Sequence, residues 1–168
     1  WYFCSHRLPI AIKARDNGFE VFVICNVNHH GEIIKKLGFN LIPMNLVRSS
    51  LNPFQFFIAL QKILSVMYRI KPSIVQNITG KSAILGTISS LFVSKTKVIN
   101  QLPGLGIFAY YRFTGFKRIA SLSIFTLLIQ LFKRVKCSII VQNSDDFKRI
   151  DSACQHSLSK VILIKGSG

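Results

Sequence analysis

The sequence predicts an α/β domain of Rossmann-like, doubly wound architecture, with one parallel sheet between layers of helix. Three observations carry this. Short apolar runs rich in β-branched residues recur along the chain, each is followed by a segment with helical spacing, and capping or turn residues separate the two. Strands that alternate with helices join through right-handed crossovers, which makes their pairing parallel. A chain of 168 residues is long enough for one domain with a real core and short for two.

Ser5 is placed to cap a helix running to about Asn17, and Gly18 to stop it. "EVFVICN" (20–26) reads as a buried strand, "GEIIKKLG" as a short helix and "FNLIPM" as a second strand. Asn52-Pro53 supplies an N-cap and a first helical residue for a long helix to about Ile70, where Pro72 bars continuation. Strand "SIVQN" (73–77), a helix over about 80–92, and strand "TKVINQL" follow. A glycine loop then leads to a helix over about 116–135 and strand "CSIIVQN" (137–143). Ser144 is set to cap the next helix, with Asp145 and Asp146 in the first turn where the dipole favours acids, and "KVILIK" is the last strand. All six strands are expected in one sheet, with "VINQL" and "CSIIVQN" internal.

Charge narrows the chemistry. The net charge is +16, and all six acids lie near the ends: Asp16, Glu20, Glu32, Asp145, Asp146 and Asp151. Between Ile33 and Ser144 there is no carboxylate, so that stretch houses neither a carboxylate base nor a carboxylate-bound metal. It attracts anions: phosphates, nucleic acid or an acidic membrane face. The four cysteines and four histidines show no metal-ligand spacing, and the thiols read as reduced. Mean hydropathy is +0.38, but the longest uncharged helical-looking stretch in the second half, Ile119–Phe132, has the length of a buried or interfacial helix.

Two phosphate motifs fail on context. "LPGLGIFA" (102–109) has the glycine spacing of a dinucleotide fingerprint. However, loop-like residues rather than a helix follow it, and the ribose-binding acid expected about 20 residues on is missing. "TGKS" (79–82) resembles the end of a P-loop, but Val75 stands where the first glycine belongs. Lys81 still falls between a strand end and a helix start, where amides and a cation favour a phosphate. The loop "PGLGIFAYYRFTG" is aromatic and poor in charge. With the basics after it and after the next apolar run, it suits a membrane interface: Phe108, Tyr110 and Tyr111 with Arg112, Lys117, Arg118, Lys133 and Arg134. These are expected to form one patch; the competing reading buries the aromatics under the sheet.

In order and spacing, "SHRLPIAIKARDNGFEVFVICN", "GFNLIPMNLVRSSLNPF", "KPSIVQNITGKSAILGTISSLF", "VINQLPGLGIFAYY", "IIVQNSDDF" and "VILIKGSG" resemble the N-terminal half of family-4, nucleotide-sugar-dependent bacterial glycosyltransferases. The nearest are those that extend glycans on polyprenyl diphosphate. The resemblance implies a GT-B fold, in which a Rossmann-like N-terminal domain takes the acceptor and a second domain takes the sugar nucleotide. It also implies that the family's first strand precedes "WYFC" and its donor domain follows "GSG", so that this chain is inactive alone. No cofactor is implied beyond the nucleotide sugar as donor substrate.

Carried over residue by residue, the resemblance assigns to substrate binding Arg7 of "SHRLP", Arg48 of "LVRSSLNP", Lys81 of "TGKS", Gly104 and Gly106 of "GLG", and Asn143 of "QNSDD". Many relatives carry His-x-His where this chain has Gln76 and Asn77, so a His-based role is not expected; Gln76, Asn77 and Gln101 are suited to sugar hydroxyls. The expected partners are a lipid-linked glycan acceptor, a nucleotide sugar and an anionic membrane surface, with the protein peripheral at the cytoplasmic face. A GT-B-like sugar-nucleotide epimerase is the alternative enzyme. A basic nucleic-acid module is the alternative from another class, disfavoured because aromatics and cations do not interleave on a strand face.

Overall fold

The computed structural model describes residues 2–27, 30–45, 52–109 and 112–165, organised in two compact units, 1–50 and 51–168. Arg48, Tyr110, Tyr111 and the terminal "GSG" lie outside the described residues.

The first unit contains α1 (Tyr2–His6), α2 (Leu8–Asp16), β1 (Phe22–Cys25), α3 (Gly31–Lys36) and β2 (Asn40–Pro43). The single helix expected from Ser5 is two helices. Pro9 has no N–H for the Ser5 carbonyl and its ring crowds that carbonyl, so the helix breaks at Arg7 and restarts with proline in its first turn. Ser5 is therefore no cap; its hydroxyl donates to the Tyr2 carbonyl. Gly18 ends α2 as expected, at φ +84°. β1 and β2 pair in parallel, Phe22 opposite Asn40, and Ala11, Val23, Ile34 and Phe39 form the core.

The second unit contains α4 (Pro53–Ile70), β3 (Ile74–Ile78), α5 (Gly80–Ser90), β4 (Lys97–Leu102), a 3-10 turn (Gly106–Phe108), α6 (Gly115–Val135), β5 (Ser138–Val141), α7 (Ser144–Cys154) and β6 (Lys160–Leu163). Asn52 caps α4 as the sequence implied, its side chain accepting from the Phe54 N–H. The strands lie in the order β3-β4-β5-β6, all parallel, with β4 and β5 internal. The six strands thus form two sheets rather than one. Alternation fixes the direction of pairing but not which strands share a ladder.

Helix α6 lays Phe125, Leu128, Ile129 and Phe132 into the core beside Leu102, Ile139, Val141 and Ile150. By length and composition α6 is able to cross a membrane, yet this buried face makes it part of the domain's cover. A polar knot sits inside the same unit. Asn77 Nδ2 donates to Asn100 Oδ1 at 2.9 Å, Asn100 Nδ2 reaches Thr87 Oγ1 at 3.0 Å and Cys137 Sγ at 3.3 Å. Burial pushes the Cys137 thiol up to about 11, against the opposing pull of the Asn100 hydrogen bond.

Candidate functional site

Because β3, β4 and β5 run parallel and adjacent, their carboxyl ends share one edge of the sheet, the place where open α/β sheets bind ligands. Three segments meet that edge: Thr79–Lys81 after β3, the glycine loop after β4, and Asn143–Asp146 after β5.

The turn after β3 is strained. Thr79, a β-branched residue, stands at φ +84°, ψ 157°, a region glycine fills easily and threonine rarely. Its N–H donates to the Gln101 carbonyl at 3.0 Å and its own carbonyl accepts from Ala83, so the ladder and the helix hold it from both sides. Gly80 follows, with the Phe108 ring packed against it. Lys81 sits half-buried in the first turn of α5.

The glycine loop is pinned rather than loose. Leu105, Phe108 and Ala109 are buried in the core. The Leu105 N–H donates to Asp146 Oδ2 at 3.3 Å, and Asn143 Nδ2 donates to the same oxygen at 2.7 Å. Gly106 stands at φ +53°, in the left-handed region that favours glycine. Gly104 does not. It is exposed, has no positive φ, and apart from its chain neighbours no described residue places an atom within 4 Å of where its Cβ would be.

Lys81, Gly104, Gly106 and Asn143 reach the shared edge. Asn143, rather than Ser144, caps α7, its Oδ1 accepting from the Asp146 N–H at 2.8 Å. Gln76 is half-buried and donates to Gln101 Oε1 at 3.1 Å. Asn77 is turned into the core and its amide is spent on Asn100. Arg7 belongs to the first unit, where it stacks over Tyr2 and donates to the Tyr2 hydroxyl at 2.9 Å, leaving Nε buried without a hydrogen bond. Asp146, which the sequence suggested only as a helix-dipole acid, is the residue that sequence reading missed. Its signal is local, the Asn-x-x-Asp spacing of 143 and 146.

The basic and aromatic patch needs correction. Phe108 is 3% exposed and packs in the core, since the 3-10 turn folds it back under the loop. The cations do not gather in one patch either. Lys117 and Arg118 start α6 while Lys133 and Arg134 end it, and a rise of 1.5 Å per residue sets the pairs about 24 Å apart. Between them Ile119, Leu122, Ile124 and Leu127 are exposed, beside exposed Ser123, Thr126 and Gln130, and Phe116 (82% exposed) stands just before Lys117. The first turn of α6 carries cations, no acid and no side-chain cap, an arrangement its dipole disfavours.

No group of metal-ligating side chains occurs among the described residues. A cavity of ≈ 500 Å³ between α6 and α7 is lined, among the described residues, by Phe125, Asp145, Lys148, Arg149, Ser152 and Ala153.

Residues 1–143 match the family described as glycosyl transferase 4-like. The chain is 27% identical over 111 residues to N,N'-diacetylbacillosaminyl-diphospho-undecaprenol alpha-1,3-N-acetylgalactosaminyltransferase of Campylobacter jejuni, covering 66% of this chain and 29% of that protein. It therefore spans less than a third of the relative it matches. Among solved structures, MurG of Acinetobacter baumannii aligns over 94% of this chain and 61% of its own, at 10% identity and a TM-score of 0.45. The match over most of its length makes this chain a member of the glycosyl transferase 4-like family.

Proposed function

We propose that the chain is the acceptor-side half of a retaining, nucleotide-sugar-dependent glycosyltransferase that extends a polyprenyl-diphosphate-linked glycan at the cytoplasmic face of the membrane. Family membership and the activity that names the Campylobacter relative support the reaction class. The observation that carries the site is Gly104. Nothing in the described structure demands glycine there, and what glycine leaves open is close approach of another molecule to the backbone. In this reading Gly104 and Gly106 border the substrate, Lys81 at the start of α5 meets a phosphate oxygen, and Gln76 meets a sugar hydroxyl. Asn143 serves through its cap on α7, and Asn77 by joining β3 to β4 inside the core. Arg7 and Arg48 belong to the site by resemblance.

The membrane part of the proposal rests on α6. An exposed apolar strip with cations at both ends is the pattern of a helix lying in the headgroup plane of an anionic bilayer. Strain at Thr79 supports a site at the strand ends, where such distortions cluster.

The test is transfer of a sugar by the full-length protein from a panel of nucleotide sugars to an undecaprenyl-diphosphate-linked acceptor, with the product anomer assigned by NMR. Transfer with retention is expected, and none from residues 1–168 alone. Interconversion of nucleotide sugars without transfer would establish the epimerase instead.

A further inference from the structure

We infer that Asp146 is a positioning residue whose buried carboxylate holds the Gly104–Gly106 loop in the shape that presents its glycine backbone to substrate; this rests on the transferase reading above. The carboxylate is 3% exposed and 41 residues from the loop in sequence. An ionised carboxylate accepts and never donates, so once buried it must be met by donors. Asp146 Oδ2 accepts from the Leu105 N–H at 3.3 Å, which belongs to the loop, and from Asn143 Nδ2 at 2.7 Å, which belongs to the cap of α7. The cap is reciprocal, because the Asp146 N–H donates back to Asn143 Oδ1 at 2.8 Å. The dipole of α7 further favours a negative charge in its first turn.

This arrangement has two consequences for ligand binding. The Leu105 N–H points at Asp146 and is withdrawn from any ligand, so a substrate at the loop meets the backbone of Gly104 and Gly106. The start of α7 also carries its own anion, which makes it a poor place for a second. The loop is fixed from the opposite flank by Phe108 lying on Gly80, so Asp146 completes a two-sided clamp. Loss of one side frees the exposed glycines while the core residues Leu105, Phe108 and Ala109 keep the fold together.

The experiment uses the full-length transferase carrying Asp146→Ala or Asp146→Asn, with amide hydrogen exchange of peptides covering 103–109 and steady-state kinetics for both substrates. A lost charge-assisted hydrogen bond predicts loop exchange faster by roughly tenfold or more for Asp146→Ala, with β4 and β5 peptides unchanged. KM for the substrate that meets the loop should rise by roughly tenfold while kcat moves much less, as for a lost positioning contact. Asp146→Asn, whose one remaining oxygen still accepts from Leu105, should fall between wild type and alanine in both readouts, and it carries the test if the alanine variant fails to fold. Unchanged loop exchange overturns the clamp. A loosened loop with unaltered KM and kcat overturns the positioning role. A wild-type enzyme without transfer sinks the transferase reading and the catalytic consequence with it, while the exchange result still decides whether Asp146 holds the loop.

Discussion

Phe108 lies so close to Gly80 that a Cβ at position 80 would overlap the ring at Cε2. The loop after β4 is thereby stacked on the turn after β3, two of the segments that make the candidate site. Gly80→Ala should push the ring off its seat, overpack the core and destabilise the protein by about 1–3 kcal/mol. Chemical denaturation of the two proteins checks this, and an unchanged midpoint would mean that the ring does not occupy that seat.

Asn100 is fully buried and serves Asn77, Thr87 and Cys137 together. Asn100→Ala strips partners from the Asn77 amide and the Thr87 hydroxyl in a place water does not reach, and each orphaned group costs about 1–3 kcal/mol. The expected outcome is a large fall in Tm. Gly86→Ala should act on the same knot, since its Cβ would overlap Asn77 Oδ1.

Lys136 closes α6 in the left-handed region, at φ 56° and ψ 51°, with its N–H on the Phe132 carbonyl at 3.0 Å. A side chain is strained there and glycine is not, while glycine adds freedom to the unfolded chain. Lys136→Gly should therefore stabilise by about 0.5–1 kcal/mol, read as a rise in Tm of a few degrees.

Stability should fall in alkali. The folded state holds the Cys137 thiol protonated up to about 11, above its ordinary value of 9.0. Below pH 9 neither state ionises it, and the contribution is fully present. As pH climbs from 9 to 11 the unfolded chain loses the proton first, and about 2–3 kcal/mol is lost. Cys25 and Cys154 are shifted in the same direction by burial and add to the slope. Urea titrations across that range in Cys137→Ser and wild type give the measurement; parallel pH profiles would remove Cys137 as the cause.

Reversing Lys117 and Arg118 to Glu should weaken co-sedimentation of the full-length protein with anionic vesicles, since each cation near the headgroups contributes about 1 kcal/mol. Acids in the first turn of α6 favour its dipole, so lost binding would not come from a melted helix. Reversing Lys133 and Arg134 should weaken it separately. Binding that is equal on neutral vesicles, or indifferent to salt, would refute the electrostatic docking of α6.

The sequence determined the order and type of nearly every element, because those rest on local physics: β-branched runs, Asn52-Pro53 at a helix start, Gly18 at a stop. It also determined that strands run parallel, and that no carboxylate chemistry sits between Ile33 and Ser144. Where a local rule was read too simply, the structure differs locally, as where Pro9 breaks the first helix. Tertiary structure decided the rest. The grouping of strands into two sheets, the inward turn of Phe108 and Asn77, and the bond from Leu105 to Asp146 depend on groups far apart in sequence that meet only once the chain has folded. A pattern of periods two and 3.6 states which face of an element is apolar, but not what that face packs against or which buried acceptor claims a loop's N–H.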